Sequence, residues 1–479
     1  MSFNPYPTPE EQLRQVMAWY PNKKLYRRRS SKSEKDMVSI YSETSACPVY
    51  THEEWYADDW TSPFLEVDFS RSFFDQFKEL QSKAPVVGLL STLQENAEYC
   101  QDVEGLKNSY LVFDAILGRD LYYCTRIYNS NSCVDCYWIL DSELLYDSTY
   151  MFSCYNCRYS FNCKQASDSA FLFDCRNTQH SFMSSGLRNK GFYVFNKPVS
   201  KDEYEAFLKT VDFSNYEQME GYRKQFLELI RSTPSPTVLL ENCEDVEGNY
   251  VKNSKNCTRC LESYELQDCH NVFQCAKGKN IEGSFMCNDR VERCTQSVAT
   301  GISSFDVQNC AFVWHSSAMQ YCYLCIGCQD CFGCIGLRNK KYHIFNKAYS
   351  KEDYEQLIPQ LIEGMKNRGE YGFFFPMELS PFKYEDTIAY DFFSEESSAV
   401  EMKLNYTPQE LEFYRKNLIP LPKKSFPERY RDRLRMMDTS LSLVKGTYYK
   451  HPKERVYSFP GIETDISQRV DEFVYKKDW

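Results

Sequence analysis

Five cysteines stand three apart in Cys322-x-x-Cys325-x-x-Cys328-x-x-Cys331-x-x-Cys334. Four thiolates so arrayed are a ligand set for zinc or an iron–sulfur cluster, both of which take sulfur from Cys-x-x-Cys runs. The competing reading makes each cysteine a small apolar filler of an inward slot. One repeat earlier the equivalent positions are Leu172, Cys175, Thr178, Ser181 and Ser184, which cannot together bind a metal. The slots therefore accept non-ligands, and no cofactor is expected. Zinc or iron–sulfur at Cys322, Cys325, Cys328, Cys331 and Cys334 stands as the alternative. The same weighing applies to Cys133/Cys136, Cys154/Cys157 and Cys257/Cys260.

Other chemistry is sparse. The six histidines form no cluster with acids or thiols at motif spacing. There is no Walker loop, G-x-G-x-x-G, G-x-S-x-G or His-Glu-x-x-His. No catalytic residue is assigned. A carboxylate pair on an outer face stays open, because Asp and Glu are too numerous to choose among. Arg188-Asn189-Lys190 and Arg338-Asn339-Lys340 could grip an anion, but Gly and Asn beside them favour a turn and cap.

What positions these residues is a duplication. Gly186-Leu187-Arg188-Asn189-Lys190 recurs 150 residues later at Gly336–Lys340, and Phe195-Asn196-Lys197 at Phe345–Lys347. Cys100-Gln101-Asp102-Val103-Glu104-Gly105 matches Cys243–Gly248 at an offset of 143. Inside each copy the period is three. From Ala97 through Cys100, Val103, Cys124, Cys136, Ser148 and Cys154 to Leu187, every third residue is small or aliphatic, uncharged and non-aromatic. The second copy follows suit, with a phase slip expected around Asn288–Ser297. Neither a helix nor a flat strand has this period, and collagen's Gly and Pro are absent.

The expected fold is mainly β: two tandem Cys/Ser-lined β-solenoid units, each closed by a short strand and a helix, with mixed α/β terminal extensions. The pattern resembles small cysteine-rich β-helices with a twelve-residue coil. Such a coil is too narrow for rings, so Tyr122, Tyr123, Tyr128, Tyr137, Trp138, Tyr146, Tyr150, Phe152, Tyr155, Tyr159 and Phe161 are expected outside, as exposed ladders. Tyr146→Ser is then expected to cost little. The divisions are an N-terminal extension at 1–94, the solenoids with their cap helices at 95–235 and 240–375, and a C-terminal extension at 376–479. Ser200-x-x-Glu203 and Ser350-x-x-Asp353 start the cap helices. Basic clusters lie in the extensions, at Lys23–Lys35 and Lys423–Arg435.

In Lys24-Leu25-Tyr26-Arg27-Arg28, Trp55 to Trp60, Asp68-Phe69-Ser70-Arg71-Ser72-Phe73-Phe74-Asp75-Gln76-Phe77 and both Gly-Leu-Arg-Asn-Lys blocks, the chain resembles an uncharacterised bacterial family of cysteine-rich repeat proteins with zinc-ribbon ends. Here those ribbons are missing: no cysteine lies between Cys47 and Cys100, and none follows Cys334.

The net charge of −11 argues against general nucleic-acid binding. No apolar run approaches membrane-spanning length, and Met1-Ser2-Phe3-Asn4-Pro5 lacks a signal-peptide pattern. A cytoplasmic protein with reduced thiols and no membrane contact is expected. The favoured function is a non-enzymatic scaffold that binds a protein partner or large assembly through aromatic outer faces and basic arms at Arg27, Arg28, Arg29, Arg431, Arg433 and Arg435. Its rivals are a nucleic-acid or ribonucleoprotein component using those arms on phosphates, and an enzyme on a β-helical frame acting on a polysaccharide.

Overall fold

The computed structural model of the chain describes residues 9–393, apart from residues 98 and 315 and several segments between 234 and 310, together with residues 406, 408–437 and 457–458. A β-solenoid of about 16 turns occupies residues 91–344, interrupted by helices between the two copies. Strands pair in parallel at an offset of twelve: Gln101↔Phe113, Phe113↔Thr125, Thr125↔Tyr137, Tyr137↔Thr149 and Thr149↔Phe161. The period-three residues face the axis. Cys136, Ser148 and Cys154 are at most 2% exposed, and of the series from Ala97 only Leu187, at the final coil, is less than fully buried.

The cause of the period lies in the backbone. From Asp102 to Phe195 every third residue is left-handed, with φ between 45° and 61° where it is not glycine. As far as Gly186 each is the residue before an inward one, so a coil of twelve has four corners. A left-handed L-residue costs on the order of 1 kcal/mol, least for Asn and Asp, and these fill many corners: Asp102, Asn108, Asp114, Asn129, Asp135, Asp141 and Asp147. Where they stack they bond between coils, as in Asn129 Nδ2 to Asp141 Oδ1 at 2.7 Å and Asn156 Nδ2 to Asp168 Oδ1 at 2.8 Å.

Serine and cysteine suit the interior for a second reason. Ser142 Oγ donates to Leu140 O at 2.8 Å and accepts the Cys154 N–H one coil on at 2.9 Å. Cys154 Sγ in turn accepts the Ala166 N–H at 3.4 Å. A small side chain with one donor and one acceptor satisfies corner amides that have no solvent.

The copies close as expected. Val194 pairs antiparallel with Lys197, and Ile344 with Lys347. Nine helices among the described residues are α1 (Pro9–Met17), α2 (His52–Tyr56), α3 (Phe73–Gln81), α4 (Lys201–Leu208), α5 (Tyr216–Ser232), α6 (Lys351–Asn367), α7 (Ile388–Phe393), α8 (Pro408–Lys416) and α9 (Phe426–Met437). Ser200 begins α4 with a full capping box, and Ser350 caps α6 through the Asp353 N–H. The Gly-Leu-Arg-Asn-Lys blocks belong to the last coils themselves, with Gly186, Asn189, Gly336 and Asn339 all left-handed corners. The first coil of the second copy is one residue short, pairing Leu240 with Val251. The slip expected at Asn288–Ser297 lies largely outside the described residues.

The extensions dock crosswise. The N-terminal segment runs into the first solenoid, yet Trp19, Trp55, Phe73 and Phe77 share their core with Tyr321, Tyr323, Phe332 and Phe345 of the second. The C-terminal helices return to the first solenoid, where Tyr414, Phe426 and Tyr430 join Phe113, Tyr123, Tyr137 and Tyr146. Each such ring contributes on the order of 2 kcal/mol by leaving water.

Candidate functional site

The cysteine run lies inside its coil. Cys322, Cys325, Cys328, Cys331 and Cys334 are at most 1% exposed and cluster with Met319 and Leu337. Cys322 Sγ donates to Gln320 O at 3.3 Å and Cys331 O at 3.4 Å; Cys325 Sγ donates to Tyr323 O and Cys334 O, both at 3.6 Å. Burial pushes the Cys325 and Cys334 thiols well above their ordinary range, which opposes thiolate formation. Hydrogen bonds from Cys325 and Cys331 act the other way on Cys328 and favour its thiolate. Among the described residues no group of three or more Cys, His, Asp or Glu is placed to hold a metal ion.

The aromatic ladders are outside the coil but not exposed, which corrects the expectation from sequence. Tyr122, Tyr123, Tyr137, Tyr146, Tyr150, Tyr159 and Phe161 are all buried. Tyr159 stacks on Phe171 at 4.6 Å, and Phe171 meets Phe226 of α5 at 5.7 Å. Phe113 stacks on Phe426 of α9 at 6.0 Å. Of the expected ladder, Tyr155 alone is exposed, at 48%. Two sides of the first solenoid are thus consumed by the protein's own helices, because rings stacked at coil spacing make a larger apolar surface than water tolerates.

The basic clusters are likewise partly turned inward. Arg28 is buried and donates to Ser42 O at 2.9 Å; Arg27 and Arg29 flank it, exposed. Arg433 is 3% exposed and sits 3.2 Å from Asp135 Oδ1 and 3.5 Å from Asp147 Oδ1. Arg429 donates to Asp135 at 2.9 Å, and Arg223 of α5 pairs with Asp147. Arg431 is half-buried, and the side chain of Arg435 lies outside the described residues. So Arg28 and Arg433 are not free arms. A buried guanidinium must be paired: backbone carbonyls serve Arg28, and the solenoid corners Asp135 and Asp147 supply the acids for Arg433. Arg338, one of the candidate anion grips, donates to Tyr56 O at 2.7 Å and Ala57 O at 3.1 Å.

A cleft forms where residues 20–23, α7 and α9 meet the first solenoid and Phe285 of the second. It is small and half-open: about 430 Å³ when the solvent at its mouth is counted in, most of it not enclosed. One corner of the solenoid, Asp102, Asp114, Arg126 and Trp138, twelve apart, passes here, and its Asp114 and Arg126 line the cleft. The Tyr20 hydroxyl donates to Asp102, and the Tyr128 hydroxyl donates to Asp114 Oδ1 at 2.7 Å. The Arg126 guanidinium lies 3.9 Å from Asp114 Oδ2 and 4.1 Å above the Trp138 ring. Burial, reinforced by the Asp114 charge, pushes Asp102 up to about 7; burial raises Asp114 too, against the pull of Arg126. Desolvation lowers Lys23, whose ammonium sits 4.4 Å over the Tyr430 ring, to about 8. Nothing in the sequence singles out Asp102 and Asp114, because Asp is an ordinary corner residue here.

The side through Lys107, Arg119, Glu143 and Tyr155 remains exposed. The corner beside it carries Leu93 and Leu117, exposed by 80% and 59%, and Leu140 lies just beyond at 38%. The Leu117 side chain lies over Gly105, 3.0 Å from where a Cβ would stand.

No family model and no curated protein sequence matches the chain. Among the described residues no helix is long and apolar enough to cross a membrane.

Proposed function

We propose that the protein is a non-enzymatic interaction scaffold that engages a protein partner through the uncovered sides of its first solenoid. One observation carries this reading: the leucine corner Leu93–Gly105–Leu117, with Leu140 and Tyr155 beside it, is apolar and exposed on a frame most of whose aromatic ladder is already covered. Exposed apolar side chains on a rigid, hydrogen-bonded rod, rimmed by charges, suit protein contact. The exposed Arg27 and Arg29 add local positive charge for steering.

The enzyme reading is favoured by Asp102 and Asp114 on successive coils. Both carboxyls, however, are roofed by Tyr20 and Lys23, so a polymeric sugar would have to displace residues 20–23 to reach them. The test is a Leu93→Asp/Leu117→Asp variant, compared with the parent by quantitative cross-linking in cells. Loss of the partner cross-links with an unchanged melting temperature supports the scaffold reading. Retention of the cross-links sinks it. Nucleic acid that co-purifies and is released by salt would favour the nucleic-acid alternative instead.

A further inference from the structure

We propose that the cleft under residues 20–23 binds a small zwitterion of the α-amino acid class. Three polar atoms that line it have no hydrogen-bond partner: Gln101 Nε2, Asp114 Oδ2 and Thr125 Oγ1. Their residues are 2%, 7% and 5% exposed. Leaving such atoms unmet costs about 1–3 kcal/mol each, and native interiors leave few of them.

Their orientation is set by other bonds. Gln101 Oε1 accepts the Leu90 N–H at 2.8 Å, which leaves the amide NH₂ as the free end. Asp114 spends Oδ1 on Tyr128, which leaves Oδ2 as an acceptor with only the 3.9 Å approach of Arg126. The Lys23 ammonium also lines the cleft and rests on the Tyr430 ring rather than on a carboxylate.

The cleft therefore offers donors, from Gln101 and Lys23, and one open carboxylate oxygen, with Thr125 able to do either. Charges around it are mixed: Lys23 and Arg126 against Asp102, Asp114 and Asp391. A plain anion meets the acids and a plain cation meets the bases. A ligand carrying both charges meets a partner for each, its carboxylate on Lys23 and Gln101 and its ammonium on Asp114. Phe113, Tyr137 and Phe285 wall the space and restrict it to compact ligands.

The experiment uses the full chain, with glycine, acetate and methylamine as probes, followed by calorimetry and by the thermal midpoint. Glycine is expected to bind saturably and to raise the midpoint. Acetate and methylamine, each lacking one charge, should bind roughly tenfold more weakly or less, the loss of one buried charged contact. Gln101→Leu and Lys23→Met should each weaken glycine about tenfold. Lys23 is only half-buried, so its variant tests the site even if Gln101→Leu perturbs folding; circular dichroism checks both. No saturable glycine binding, acetate binding equal to glycine, or undiminished binding in Lys23→Met would each overturn the assignment.

Discussion

Arg433, near the end of the last described helix, places Nη2 3.2 Å from Oδ1 of Asp135, a left-handed corner nearly 300 residues earlier. Both are almost wholly buried, and Arg429 and Arg223 complete the network around Asp135 and Asp147. The pair locks the C-terminal helices over the aromatic side of the first solenoid. Asp135→Asn should destabilise by about 3–5 kcal/mol, since it strands two buried guanidinium groups. Denaturant melts measure this. A dye that reports apolar surface should bind the variant more strongly before global unfolding. Adding Arg433→Met should recover part of the loss, a coupling expected of contacting residues.

Inward and outward positions should differ sharply. Ser148→Lys places an unpaired charge where Ser148 is 0% exposed, and the protein should fail to fold or lose several kcal/mol. Tyr155→Ser, at an exposed position, should change stability by less than about 0.5 kcal/mol. Tyr146→Ser, which looks cheap from sequence, should cost about 3 kcal/mol, because the ring is buried against Tyr159 at 5.1 Å. Thermal melts of the three variants rank them.

The two equivalent motif glycines should respond unequally to alanine. Both are left-handed, with φ of +67°. A Cβ on Gly186 would meet nothing within 4 Å, whereas one on Gly336 would stand 2.5 Å from Pro85 O. Gly186→Ala should cost about 1 kcal/mol, the backbone penalty alone. Gly336→Ala should cost clearly more and loosen the N-terminal extension, seen as faster hydrogen exchange around Trp55.

Thiol labelling should follow burial. Among the described cysteines Cys243 is half-buried and the rest are buried. In native protein Cys243 should be alkylated first among these, with Cys322 to Cys334 protected until denaturation, as read by peptide mass spectrometry. Prompt labelling of Cys325 or Cys334, or stoichiometric zinc or iron released on their modification, would count against their role as coil fillers.

Stability should fall as pH rises through the acid range. Asp102 is pushed up to about 7 and Asp391 to about 6. The folded state thus holds protons that the unfolded chain has released, and stability declines between about pH 4 and 7 and then levels. Asp102→Asn should flatten this decline and raise stability at pH 8 by on the order of 2–4 kcal/mol. The check is a series of denaturant melts from pH 4 to 8. An unchanged pH slope in the variant would remove Asp102 as its source.

The sequence alone determined the coil. An inward side chain at every third position is a local rule: a left-handed corner before each small residue turns the chain, and the next coil repeats it twelve residues on. Asn and Asp at Asp102, Asn108, Asp114 and Asn129 carried the corner signal as well, one residue ahead of the inward series. The duplication, the closing strands and the Ser200 and Ser350 caps were equally legible, since each depends on a few adjacent residues. What the outer faces do was decided only by tertiary structure. A tyrosine at Tyr146 or Tyr155 obeys the same local rule, and which is covered depends on where α5, α8 and α9 land. The inward turn of Arg433 and the meeting of Tyr20, Lys23, Gln101 and Asp114 depend on the crosswise docking of the two extensions. That docking is set by the summed burial of distant aromatic surfaces, a quantity no short window of sequence contains.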